Sequence, residues 1–260
     1  KKLIILVTSI FALSSIVLAI SLKNYYLSES VLVSAESPNS SSLSQYSSLA
    51  SLAGVGLPSS GDSVIEMIEI IQSREFVKHL ISFENVLPSM MAAKKYDVAS
   101  QELNFDPEIF DSKTKTWTRK PTKNITAKPS YIEVHKEYVD SIMNIVKDSK
   151  TGFIKIEVEH ISPIFAKEFL DLIIKEANSI KRTKDIEVSR QALEYLQAEL
   201  TKTPLVGIKG SINKLIESQL ETQMLAHIHD DYSLVAIDPP FVPEIKSKPS
   251  RSIICLVITL

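Results

Sequence analysis

The chain has 260 residues, 29 basic and 31 acidic, with a formal net charge of −2. So even a balance argues against the basic footprint of a nucleic-acid binder. The single cysteine, Cys255, rules out an internal disulfide and a cysteine zinc site.

From Leu3 to Leu22 no residue is charged, and Lys1, Lys2 and Lys23 bracket the run. At about 1.5 Å per residue, such a helix spans a hydrocarbon core of about 30 Å. The alternative, a cleaved signal peptide, has an apolar region of only about 7–15 residues and a small-residue cleavage site. This run is longer, and its exit SLKNYY is a poor cleavage site. The reading is a retained transmembrane helix over 1–23, with Tyr25 and Tyr26 suited to the headgroup layer. Because the first residue is Lys, the chain is expected to begin inside a longer product.

YYLSESVLVSAES, with Val31, Leu32 and Val33, reads as a strand leaving the membrane. PNSSSLSQYSSLASLAGVGLPSSG reads as a flexible loop around a short, weak helix, since Ser competes for backbone hydrogen bonds and Gly loses entropy on ordering. Asp62 and Ser63 are candidate caps of one helix, DSVIEMIEIIQSREFVKHLIS. Its apolar stripe is Val64, Ile65, Ile68, Ile71, Phe76, Leu80 and Ile81. Residues 92–130 are polar and carry Pro107, Pro121 and Pro129, so short strands or loops are expected. Tyr131 to Lys147 reads as helical, with Val134, Tyr138, Ile142 and Val146 at steps of four.

TGFIKIEVEHIS alternates at period two and predicts a strand with one wet face. Ser162 and Pro163 then form an N-cap and a first-turn proline. From Pro163 to Leu200 nothing breaks the helix. Its seams, Phe169, Ile173, Ala177 and Ile180 at one end and Leu193, Leu196 and Leu200 at the other, flank the polar middle KRTKDIEVSRQ. So thin a stripe cannot sit in a globular core, so the helix must project. TKTPLVGIKG is expected to break it, SINKLIESQLETQMLAHIH to return, and YSLVAID to form a final strand. About 60 Å of helix leads out, and the return falls just short of it unless the break is extended or the outgoing helix tilts.

VAIDPPFVPEIKSKPSR carries four prolines before the oily SIICLVITL. Residues 253–260 are too few to cross a bilayer; they read as the start of a second span, with a buried C-terminal strand as the alternative.

The order of these parts resembles the polysaccharide co-polymerase, or Wzz-type chain-length determinant, family of bacterial inner membranes. The matching elements are Ser47–Gly56, Ile71–Phe76, Ser162–Ala166, Lys214–Ala226 and Asp238–Arg251. Pro107–Lys128 matches no family element. The resemblance implies an α+β fold: a membrane-proximal α/β base domain with a long projecting α-helical hairpin, flanked by two transmembrane helices, the second truncated here. The corresponding division is 1–23 first span, 24–162 base (completed by 230–238), 163–229 hairpin, 239–251 Pro-rich linker and 252–260 start of the second span. It further implies cytoplasmic termini, a periplasmic body and a homo-oligomeric ring or bell. The partners implied are a membrane polysaccharide polymerase, its growing lipid-linked glycan and the lipid bilayer, with no nucleic acid. The family sets the chain length of O-antigen, capsule or exopolysaccharide and performs no known chemistry, unless a cytoplasmic tyrosine-kinase domain follows the second span.

No catalytic, cofactor-binding or metal residue is expected. Pro239, Pro240, Pro243, Pro249 and Arg251 are the candidate approach to membrane and polymerase, the prolines holding the exit extended and semi-rigid. Val188, Leu193, Leu196 and Leu200 need apolar cover and are candidate oligomer contacts. His227, His229, Asp230 and Asp231 could ligate a metal, but no third distant histidine or cysteine completes a set, so a solvated turn is preferred. AGVGLPSSGDS lacks the lysine and preceding strand of a phosphate loop. Glu157 and Glu159 read as a wet strand face, and Lys181–Arg190 as a solvated helix face or inter-protomer ion pairs.

Overall fold

The alternating segment forms a strand whose register organises the rest. In the computed structural model, which describes residues 14–16, 19–35, 60–123, 125–228 and 231–259, Ile154, Ile156, Val158 and His160 are buried and the residues between them half-buried. This strand, Ile154–His160, lies between Tyr26–Ser34 (β1) and Met143–Lys147. With Leu234–Asp238 on the far side of β1, these make a four-stranded antiparallel sheet.

Between β1 and the sheet's next strand run Ser60–Gln72 (α1), Arg74–Leu80 (α2) and Val86–Ala92 (α3). Two small hairpins follow, Ala93–Asp97 (β2) with Glu102–Phe105 (β3), and Phe110–Asp111 (β4) with Thr116–Trp117 (β5). This bears out the short strands expected of the polar segment. Tyr131–Glu137 (α4) continues as a π-helical turn, Tyr138–Ile142, into Met143–Lys147 (β6), then Ile154–His160 (β7). The chain ends with Pro163–Lys202 (α5), Val206–Ile228 (α6), Leu234–Asp238 (β8) and Arg251–Thr259 (α7).

Several expectations are corrected. The single helix over 62–82 is two helices, because the Ser73 hydroxyl accepts from the Phe76 N–H at 3.1 Å and caps α2. Its stripe runs through Val64, Met67 and Ile71, at steps of three and four, so Ile65 falls outside it and is exposed. The proposed caps Asp62 and Ser63 concern side chains outside the described residues; the helix itself starts at Ser60. Tyr131–Lys147 is not one helix. Val134, Tyr138 and Ile142 are buried as expected, but Met143–Lys147, rich in β-formers, pairs with β7, which leaves Val146 exposed. Gly152 at φ +74° turns the β6–β7 hairpin. The break after α5 is confined to Thr203–Leu205, since Gly207 and Gly210 lie inside the first turns of α6. The final apolar run forms a helix, not the strand that was the alternative to the start of a second span.

One face of the sheet packs on α1, α2, α4 and the first half of α5, burying Leu32, Met67, Ile71, Phe169, Ile173 and Leu234 among others. Tyr138 sits in this core against Phe169 with ring centroids 6.1 Å apart. Its hydroxyl has no hydrogen-bond partner among the described residues, and burial raises its pKa. His160 is buried where the sheet meets α3. Its Nε2 lies 2.9 Å from the Ser89 carbonyl and its Nδ1 accepts from the Ser162 N–H at 3.0 Å, which fixes the neutral tautomer. Burial pushes its pKa down to about 4.

Candidate functional site

Two joints connect the sheet to what extends from it. The first lies where the chain enters β1 and where it leaves β8. Ser28 and Ser30 occupy core-facing positions of β1, in phase with Leu32, and both are fully buried. A buried hydroxyl needs a partner. The Ser30 Oγ donates to the Asp238 carbonyl at 2.7 Å and the Ser28 Oγ to the Phe241 carbonyl at 2.8 Å. The physical reason is the proline run. Pro239, Pro240 and Pro243 have no N–H to donate into a ladder, so backbone pairing stops at Asp238, and the strap's carbonyls accept from serine hydroxyls instead of from a facing backbone.

Six residues after Phe241, the strap returns to the foot of β1. Tyr25 N–H donates to the Lys248 carbonyl at 2.9 Å, and Ser247 N–H to the Tyr25 carbonyl at 2.8 Å. Glu159 of β7 accepts from the Ser247 Oγ at 2.8 Å and the Lys248 Nζ at 2.7 Å. Arg251 then opens α7. Its Nε donates to the Ala19 carbonyl at 2.9 Å, and one terminal nitrogen donates to the Asn24 Oδ1 at 2.9 Å and the Leu22 carbonyl at 3.5 Å. A cation on the last carbonyls of a helix is favoured by the helix dipole and by the carbonyls' lack of intrahelical donors. The two apolar ends of the described chain are thereby held side by side.

The structure brings Arg251 and the flanks of Pro249 into this clamp. Pro243 is buried, Pro240 and Pro249 are half-buried, and Pro239 is exposed. The strap bends at Glu244–Ile245. The sequence reading missed Ser28 and Ser30, and it took Tyr25 only as a headgroup residue and Glu159 only as part of a wet strand face. The available signal was two serines at strand spacing in phase with a core leucine.

The second joint lies where α5 leaves the core. The Asn178 Oδ1 accepts from the N–H groups of Ser233 and Leu234 at 3.0 and 2.8 Å, and its Nδ2 donates to the Leu234 carbonyl at 2.8 Å. One helical turn on, Lys181 is buried between Asp185 at 2.7 Å and Glu66 of α1 at 3.0 Å. Lys184 reaches Glu66 at 2.7 Å, and the Tyr232 hydroxyl donates to Asp185 at 3.0 Å. Burial alone would lower the Lys181 pKa, but hydrogen bonds to Asp185 and Glu66 outweigh it and raise it. Burial would raise the Glu66 pKa, and its hydrogen bonds from Lys184 and Lys181 outweigh that and lower it. Lys181 and Asp185 therefore belong to a largely buried network rather than a solvated face, with Lys184 exposed at its rim.

The expected shortfall of the return disappears here. The hairpin closes on Asn178, not on Pro163. The part of α5 beyond Asn178 and the 23-residue α6 are each about 35 Å long. Of the proposed contact residues Leu193 is buried, Leu196 and Leu200 are half-buried, and Val188 is 55% exposed.

Among the described residues no group of histidine, cysteine or carboxylate side chains is arranged to hold a metal ion. His229 and Asp230, most of AGVGLPSSGDS, and Ser47–Gly56 lie outside the described residues. No helix among the described residues is long and apolar enough to cross a membrane. The first expected span lies largely on residues outside that set, and α7 has nine residues.

The geometry defines a sheet-based body that carries a helical hairpin at one joint and clamps its two chain ends together at another. The family model described as "Wzz: Chain length determinant protein" matches residues 1–83, which bears out the resemblance over that part of the chain. The chain is also similar to "Capsule polysaccharide export inner-membrane protein KpsE" of Escherichia coli, at 26% identity over 198 residues, covering 76% of this chain and 45% of the relative. The protein of the same name from E. coli O6:H1 (strain CFT073 / ATCC 700928 / UPEC) matches to the same extent. The chain thus spans a little under half the length of these curated relatives.

Proposed function

We propose that this chain is an inner-membrane regulator of polysaccharide chain length or export, acting without catalysis of its own. On this reading residues 1–23 are the first span, 252–260 begin the second, the base (24–162 with 230–238, and with the first half of α5 in its core) and the hairpin that projects beyond Asn178 lie in the periplasm, and 239–251 link them to the membrane. The observation that carries it is the clamp. Arg251, Asn24 and the Tyr25–Lys248 pair set the two apolar ends next to each other, as a two-pass anchor with one exported body requires. The buried His160 and Lys181 are committed to internal hydrogen bonds, which suits a structural role.

The reading includes a homo-oligomeric ring or bell. Beyond the joint the hairpin buries only Ser189, Leu193, Ile212 and Ala226 among its described side chains. Leu220, Met224 and Ile228 stand exposed at steps of four along α6. That stripe calls for cover by a neighbouring copy. The partner is a membrane polysaccharide polymerase carrying a lipid-linked glycan. Deleting the gene in a host that makes the glycan tests this reading: an altered length distribution is expected, and an unchanged one rejects it.

The word export in the relatives' names favours a second reading, the membrane and periplasmic half of an export protein. In the fuller form of that reading, which the names do not address, a cytoplasmic tyrosine-kinase domain lies beyond residue 260. Loss of surface polysaccharide with retained intracellular polymer of normal length would select export over length control.

A further inference from the structure

We infer that the strap between β8 and α7 is itself a lipid-docking element, its bulge at Phe241–Lys246 resting in the headgroup layer of the bilayer; this rests on the membrane reading above. The bulge follows from the pins. Phe241 is fixed level with Ser28 and Ser247 level with Tyr25, only three residues apart on β1. Three strand residues cover about 10 Å, whereas the six steps from Phe241 to Ser247 could cover about 20 Å. The surplus chain must leave the sheet. It does so at the bend Glu244–Ile245, with Pro243 buried beneath it.

What the bulge presents is apolar. Phe241 and Val242 are each 46% exposed and Ile245 is 83% exposed. Nothing in the fold requires three such side chains outside the core, and the cations after them, Lys246, Lys248 and Arg251, outnumber the nearby acids, Glu244 and the Glu159 that pairs with Lys248. An aromatic and two aliphatic side chains beside lysines match the boundary between acyl chains and anionic headgroups. The position fits as well. Ile245 is two residues from the Tyr25 contact, and the apolar surface resumes on α7, where Ile253 and Val257 are 62% and 67% exposed. A second copy or another protein could also cover an apolar bulge. Continuity with the apolar helix and the cationic flank favour lipid.

Trp117 is the only tryptophan, so a Trp117→Phe background allows single-tryptophan probes. Ile245→Trp and, separately, Val257→Trp are placed in the full-length protein in nanodiscs of phosphatidylethanolamine and phosphatidylglycerol. Part of the lipid is brominated on its upper acyl carbons. Docking predicts blue-shifted emission and bromine quenching at both positions. Quenching at Val257→Trp with none at Ile245→Trp, whether that emission is water-like or dry, overturns the docking and leaves the membrane anchor standing. Absence of quenching at both overturns the anchor together with the docking.

Discussion

The base and the hairpin are built on opposite principles. In the base the first half of α5 contributes Ala166, Phe169, Leu170, Ile173 and Ala177 to a shared core, all essentially inaccessible. Past Asn178 the same helix contributes little beyond Lys181, Ser189 and Leu193, while Val188 and Tyr195 are exposed. One uninterrupted helix therefore serves as a core element and then as a strut. The change occurs at the joint formed by Asn178, Lys181 and Asp185. The base can be held by its own burial; the strut depends on that joint and, on the proposed reading, on cover from a neighbouring copy.

The largest expected effect is in the core. Phe169→Ala removes a ring stacked at 5.2 Å on Phe165 and should cost about 3–5 kcal/mol. A shift of the urea midpoint at unchanged slope would show it. Asn178→Ala comes next. It leaves two buried N–H groups and a carbonyl unpaired, for a loss of about 2–4 kcal/mol by the same measurement. Equal stability to the parent would mean that the joint contributes nothing.

A pH effect of similar size should come from the base. The His160 pKa is about 4 in the fold against 6.5 for the free side chain, because burial disfavours the charged ring. The stability held by the neutral ring is complete above pH 6.5 and is lost as pH falls toward 4. It amounts to about 3 kcal/mol. Unfolding curves at pH 7.5 and pH 4 should differ by less in His160→Gln. The smallest effect on folding is expected at Val188→Asp, within about 0.5 kcal/mol, since the position is exposed. In detergent the same substitution should reduce the assembled mass, and an undiminished oligomer would remove Val188 from the contact.

The elements most readable in sequence were those with one unambiguous period or cap. The alternation of β7, the Ser162–Pro163 start and the length of α5 to within two residues are of this kind. Readings failed where tertiary pairing overrode local spacing. Val134, Tyr138, Ile142 and Val146 keep helical spacing, yet β7 draws Met143–Lys147 into the sheet. Gly207 and Gly210 suggested a long break, but two glycines are tolerated within the first turns of a 23-residue helix that packs on α5. In the clamp, Arg251 and the prolines were visible as chemistry, whereas their acceptors were not. Ala19, Leu22 and Asn24 lie more than two hundred residues earlier in the chain, and no local pattern announces that distance.

The account stands on the two chain ends emerging together on one side of the membrane. Asn24→Cys and Lys246→Cys, each in a Cys255→Ser background, can be probed in intact cells and inverted vesicles with a membrane-impermeant maleimide. Both cysteines should label from the periplasmic face alone. Labelling of the two from opposite faces would contradict it.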